Sequence, residues 1–350
     1  VTLSENADFD DLVIKRSYVI SEGGEAKYLA YEVAQQRPGE DHYVHFFKVT
    51  TLFSVGARER VNSVDMRDVL VVIGEEKVLF LGIVAETATG PLLAYGAQGA
   101  GYSLEEAMAQ CDAGAESVAE AMGYFFGTPV ARISVAVAEA LMHQLSDGAE
   151  LAMARGTVSG KNVGVGGGLA ALAGVCAGSK FALVIVAVPL KGEDMVVALR
   201  KVLQAISQVK HPHALKNGED GTLGSRRERL RSSWAQMSAR LEVRRQRYDA
   251  GIENPSYLYQ AFFVADGAET RETGTKALKE AFGAVAPGAG QDFSVIDEFD
   301  ADEKMRLLVH ARGLTSYRRP ELDTQIVEPF CYSAYATAEE LGRLCAWARA

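Results

Sequence analysis

Between Asn162 and Ser179 the chain carries no charge, and six of those positions are glycine. Lys180 interrupts, and Phe181–Leu190 is apolar again until Lys191. A stretch this long and this apolar must be covered by something, because water does not favour it. Its glycines also weaken it as a free-standing helix. Three readings follow from the residues: an apolar loop, a Gly/Ala helix buried against a sheet, or a segment that touches a membrane. The small pairs Gly164/Gly168 and Gly174/Gly178 stand four apart, the spacing that lets helices approach closely in a bilayer. The unbroken run is near the lower length limit for a span.

On either side the pattern is that of a mixed α and β protein. The first sixty residues hold strand candidates at 12–14, 17–20, 28–33 and 43–49, with Gly23-Gly24 and Pro38-Gly39 as turns and a helix over 27–35 as the alternative for one of them. Residues 69–73, 77–86 and 92–98 read as three strands of an antiparallel meander. Ser103-Leu104-Glu105-Glu106 has the form of a capping box. It opens a helix to about Met122, with Ala107, Cys111, Ala115, Val118 and Met122 on one face.

Past Lys191 the spacing predicts an amphipathic helix over 194–209, with Val197, Leu199, Val202, Leu203 and Ile206 as its stripe. A loop follows over 210–224. Then Ser225–Tyr248 forms a long helix holding eight arginines and few apolar residues. The last hundred residues alternate: a strand at 257–265, a helix at 269–282, a strand at 293–299, a helix at 301–311, a strand at 326–332. Thr337-Ala338-Glu339-Glu340 is a second capping box before a terminal helix.

Composition limits the chemistry. The formal net charge is −10, which argues against a general nucleic-acid binder, since phosphate contacts need clustered Lys and Arg. The arginine helix is the one basic patch, so nucleic acid stays open but is not favoured. Interspersed Glu228, Glu242 and Asp249 point instead to a solvated helix or one arm of a hairpin. Cys111, Cys176, Cys331 and Cys345 form no Cys-x-x-Cys pair and read as reduced thiols of a cytoplasmic protein. The acidic first ten residues lack the basic and apolar regions of a signal peptide.

Gly156–Asn162 resembles a phosphate loop but has three residues between its glycines and Asn after Lys161, where the motif wants four and Ser or Thr. Gly96–Gly101 lacks the dinucleotide spacing and reads as a strand-to-helix turn. His42 with His45, and His211 with His213, have no Cys or carboxylate at ligand spacing. The cluster Asp297, Glu298, Asp300, Asp302 and Glu303 lacks the glycine of a calcium loop. No catalytic residue, cofactor-binding residue or metal ligand is assigned.

Leu92–Gly101 with Ser103–Ala107, then Tyr257–Ala265, then Glu328-Pro329-Phe330 with Thr337–Leu341 together resemble the N-terminal, non-motor region of HerA/FtsK-type ATPases. That is the class of the conjugation and type IV secretion motors. The resemblance implies an assembly scaffold that forms rings and docks on a motor domain, a membrane complex or other partners. The family's phosphate loop and magnesium-binding strand have no counterpart here.

The expected fold is α+β, in two lobes of mainly antiparallel sheet. These are an N-terminal lobe (1–157), the glycine-rich segment (158–192), a helical hairpin (193–250) and a C-terminal lobe (251–350). The expected function is a non-catalytic assembly or docking module, cytoplasmic or at the membrane periphery. It would act on itself or a partner through Gly164, Gly166, Gly167, Gly168, Gly174 and Gly178, and through Arg226, Arg227, Arg231, Arg240 and Arg244, with membrane contact through 163–190. Two rivals are an enzyme with a dispersed site near 297–303, and a structural protein that packs through the glycine-rich segment.

Overall fold

The computed structural model describes residues 11–36, 42–56, 58, 61–156, 168–210, 223–283, 293–315 and 334–347. Its strands are β1 (Asp11–Glu22), β2 (Glu25–Gln36), β3 (Tyr43–Ser54), β4 (Phe80–Thr87), β5 (Gly90–Gly101), β6 (Ala131–Arg132), β7 (Glu150–Arg155), β8 (Phe181–Pro189), β9 (Ser256–Ala265), β10 (Ser294–Ile296) and β11 (Ala334–Thr337). Its helices are α1 (Ser63–Glu75), α2 (Leu104–Phe126), α3 (Val135–Asp147), α4 (Leu169–Val175), α5 (Gly192–Lys210), α6 (Leu223–Glu253), α7 (Ala268–Phe282), α8 (Ala301–Arg312) and α9 (Ala338–Cys345).

The fold is α+β, and every strand pairing among the described residues is antiparallel. The strands of the two expected lobes are hydrogen-bonded into one sheet, in the order β1-β2-β3-β5-β4-β8-β9-β7-β10, with β6 on β3 and β11 on β9. The β4–β8 pairing, Phe80↔Ala187 to Glu86↔Phe181, joins the two halves. β7, which falls in the N-terminal half of the sequence, pairs with β9 and β10.

Alternation along β8 sets the layers. Phe181, Leu183, Ile185 and Ala187 face one core, which α1, α2, α4, α7 and α9 cover. Ala182, Val184 and Val186 face a second core with α3 and α8 over it. A strand buried on both faces has no polar side to show, which accounts for the uninterrupted apolar run in 181–187. Buried tyrosines tie helices to the sheet. Tyr95 Oη donates to the carbonyl of Cys345 and Tyr257 Oη to that of Leu70, while Tyr259 Oη reaches the carbonyl of Gly156 at 2.7 Å.

Residues 69–73 are not a strand but the middle of α1. Asn62 accepts from the Val64 and Asp65 amides at 2.9 Å and starts the helix. Met66, Val69, Leu70 and Ile73 are buried at helical spacing. Three β-branched residues in a row hid that period in the sequence. Gly96–Gly101 is likewise the body of β5 rather than a turn. A Cβ at Gly99 would lie 2.3 Å from the Ala107 carbonyl oxygen, so glycine there admits α2 against the strand. Residues 27–35 are strand throughout. The strand expected at 326–332 lies outside the described residues; β11 follows at 334–337.

Gly274 in α7 sits over Phe263 of β9, and a Cβ there would lie 2.1 Å from the ring. Phe263 is fully buried and stacked on Phe181 at 5.7 Å. Glycine to alanine inside a helix ordinarily gains about 1 kcal/mol. Here the sign is expected to reverse: Gly274→Ala costs about 1–3 kcal/mol through overpacking, read as a lower urea midpoint. A raised midpoint would show that the ring can give way.

Candidate interaction surface

Antiparallel α5 and α6 form the expected hairpin. Met195, Ala198, Val202 and Ile206 of α5 meet Leu241 and Tyr248 of α6 in a core separate from the two sheet cores, with Leu190, Leu258 and Tyr335 at its base. By rise per residue α6 is about 46 Å long against about 28 Å for α5. The buried stripe of α5 is shifted from the one read in the sequence. Val197 and Leu203 are 47% exposed, and Met195 and Ala198 take the inner positions. Met237 and Ile252 of α6 are also exposed, at 46% and 38%. The hairpin therefore holds apolar side chains in water on both arms.

Its anchor is a polar node at the end of β9. Arg247 Nη2 donates to Glu340 Oε2 at 2.6 Å and to the Tyr335 carbonyl at 3.0 Å, with the guanidinium over the Tyr335 ring at 5.0 Å. Tyr335 Oη donates to the Arg247 carbonyl at 3.0 Å and lies 2.9 Å from Ser256 Oγ. The same Glu340 oxygen accepts from the Thr337 amide at 3.0 Å and completes the capping box of α9, as read from the sequence. Glu340 therefore fixes a helix start and a hairpin at once. The five arginines singled out in the sequence do not include Arg247. The signal available was Leu241 and Tyr248 seven residues apart, which puts Arg247 beside the packed seam.

The other expected residues are placed as follows. Gly164, Gly166 and Gly167 lie outside the described residues. Gly168 begins α4, where the Leu169 and Ala170 amides donate to the Ala346 and Trp347 carbonyls at 3.2 and 2.9 Å. Gly174 and Gly178 are exposed at the far end of α4, with nothing within 4 Å of a Cβ on either. Within the described part of the glycine-rich segment, then, the buried-helix reading holds for Leu169 and Leu172, while Val175 is 57% exposed. Arg226, Arg227, Arg231 and Arg240 lie on α6, and their side chains are outside the description. Arg244 is half-buried, and Arg245 pairs with Glu242 at 2.8 Å.

In the acidic cluster, Asp300 caps α8 by accepting from the Glu303 amide at 2.8 Å. His42 and His45 are exposed. His211 and His213 lie outside the described residues, as do Thr157–Asn162 of the phosphate-loop look-alike. Among the described residues no group of His, Cys, Asp and Glu is placed to hold a metal, and no helix is long and apolar enough to cross a membrane. An open cleft of about 570 Å³ between α2 and the β2–β3–β6 corner has Asp112, Glu116 and Arg132 on its walls. There Tyr28 Oη donates to both Asp112 oxygens at 2.7 Å.

A second polar cluster lies under the end of α8. Gln98 Nε2 donates to Thr50 Oγ1 at 3.1 Å and to the Leu314 carbonyl at 2.9 Å. Leu314 is buried with φ 51°, a left-handed turn that closes α8. His310 Nδ1 lies 3.0 Å from Thr315 Oγ1. Two residues along β3 from Thr50, burial lowers the Lys48 ammonium to about 8.

No family model matches this chain, and no curated protein matches it.

Two outcomes follow. Arg247→Met leaves Glu340 unpaired where both side chains are mostly shielded, 15% and 13% exposed. It should cost about 2 kcal/mol, and Arg247→Met/Glu340→Gln should recover part of that, because Gln keeps the capping box. Equal losses in the single and double variants would show that removing the Glu340 charge relieves nothing. Lys48 binds a proton less readily folded than unfolded, so its contribution destabilises the fold below pH 8. That penalty fades as pH rises from about 8 toward the unfolded value near 10.4. Lys48→Met should therefore raise Tm at pH 7, with a gain that shrinks by pH 10. A gain independent of pH would assign the effect to packing.

Proposed function

We propose that this chain is a non-catalytic assembly or docking module that acts through protein–protein contacts, with its own copies as first partner and the α5–α6 hairpin as the docking arm. The observation that carries this reading is the hairpin itself. It is a braced pair of helices, anchored by Arg247 and Glu340, whose two arms leave Val197, Leu203, Met237 and Ile252 in water. Apolar side chains left in water on both arms are ones a partner could cover.

Charge supports self-association. α6 has eight arginines against Glu228, Glu242, Asp249 and Glu253, in a chain that is acidic as a whole. α2 carries five acidic residues and no basic one, and Glu105, Asp112, Glu116 and Glu120 on it are exposed. A basic arm and an acidic face on the same chain suit a head-to-tail contact, which closes into a ring when the rotation allows. That geometry accords with the resemblance to the non-motor region of HerA/FtsK-type ATPases. In this reading the chain works in the cytoplasm, as scaffold to a motor domain or a membrane complex.

The test is mass in solution by light scattering, from about 50 mM to about 500 mM salt, a range over which exposed charges become screened. A defined oligomer that weakens with salt and dissociates in Val197→Asp/Leu203→Asp, with unchanged circular dichroism, supports the reading. A monomer at every salt concentration overturns self-assembly. An oligomer untouched by the double substitution moves the interface off the hairpin.

A further inference from the structure

The sheet path ends on one side in β10, three residues long, and on the other in β1, twelve residues long. Among the described residues β1 pairs with β2 alone. Alternate residues of β1 therefore aim amides and carbonyls away from the sheet, and a long edge of that kind is a template for another strand.

The two halves of β1 differ. Ile14 stands opposite Val33 and Arg16 opposite Glu32, so Lys15 is one residue too many and forms a bulge. A bulge with an exposed lysine on it blunts an edge. The second irregularity, between Ile20↔Tyr28 and Ser21↔Ala26, places its extra residue on β2. The segment 16–22 of β1 thus runs without a bulge of its own. Arg16, Ser17, Tyr18, Ser21 and Glu22 are exposed on it, while Val19 and Ile20 are half-buried.

In an antiparallel ladder two opposed residues either both aim their amide and carbonyl at the partner strand or both aim them away. A strand that meets its own copy must therefore turn about a residue and not about a peptide bond. Within 16–22 the centre at Val19 sets Arg16 opposite Glu22, Ser17 opposite Ser21 and Tyr18 opposite Ile20. Centres at Ser17, Tyr18 or Ile20 leave both charges facing uncharged residues. Opposite charges, a hydroxyl pair and an aromatic against a β-branched residue are the cross-strand pairs that stabilise a sheet. Arg16 makes no ion pair among the described residues. Glu22 meets Lys27 at 3.1 Å but its side chain stays 67% exposed, with room for a second cation.

We propose that residues 16–22 of β1 pair antiparallel with the same segment of a second copy, about a two-fold axis at Val19, and so join two sheets into one. The contact does not rest on the hairpin reading. It uses no residue of α5 or α6, and it is isologous and closes at two copies, whereas the hairpin contact is head-to-tail.

The experiment is sedimentation velocity over a dilution series of the full chain carrying Val197→Asp/Leu203→Asp, which removes the hairpin contact. A dimer is expected. A seven-residue strand contact buries less than the roughly 1,600 Å² of a standard interface, so its Kd falls in the micromolar range. Arg16→Glu and Glu22→Arg, added singly, each set like charges opposite one another twice across the axis and should weaken the dimer about tenfold. Arg16→Glu/Glu22→Arg together exchange the charges and should return the affinity to within about threefold of the starting protein. Circular dichroism checks that each variant is folded. A monomer throughout the dilution series overturns the proposal, even where the intact hairpin still gives an oligomer. Single variants that dimerise as tightly as the starting protein overturn it too, as does a charge exchange that restores nothing.

Discussion

The pairing of β8 with β9 is the contact from which the rest of the fold extends. Nine residues of each strand are in register, from Phe181↔Ala265 to Pro189↔Tyr257. All of β9 and most of β8 are buried. A pair of strands without a solvent face requires a helical layer on each side. The chain supplies them unequally, with five helices over one core and two over the other. The apolar run 181–187 is therefore explained by a place in a sheet. Lipid is not needed to account for 181–187.

The hairpin stands apart from those layers because its stabilisation comes from elsewhere. Among the described residues its small core meets the sheet through Leu190, Leu258 and Tyr335. What fixes its direction is the Arg247–Glu340 contact, and Glu340 is held in turn by its capping role at α9. A shielded ion pair is a weak source of stability but a strong constraint on geometry. An arm that must present side chains to a partner needs the second property more than the first.

Local chemistry was readable in the sequence, and register was not. The caps at Ser103 and Thr337 and the strand at 257–265 followed from residues within a few positions of one another. Residues 69–73 misled because a β-branched run in α1 has the composition of a strand, while Asn62 and the helical spacing of Met66, Val69, Leu70 and Ile73 decided the outcome. The stripe of α5 was displaced because Val197 and Leu203 are apolar yet point to water. Nothing in the sequence could bring Gln98 to Thr50, or Arg247 to Glu340. Those meetings depend on which strands pair and where the last helix returns.

One edge of β9 is shared by two strands from distant parts of the chain. β7 covers residues 261–265 and β11 covers 256–259. During synthesis β7 is made before β9 and can meet it at once, whereas β11 emerges some seventy residues later. In that interval half of an apolar strand offers unpaired amides and carbonyls to any strand within reach. β11 is thus the closing seal on that edge of a fully buried strand.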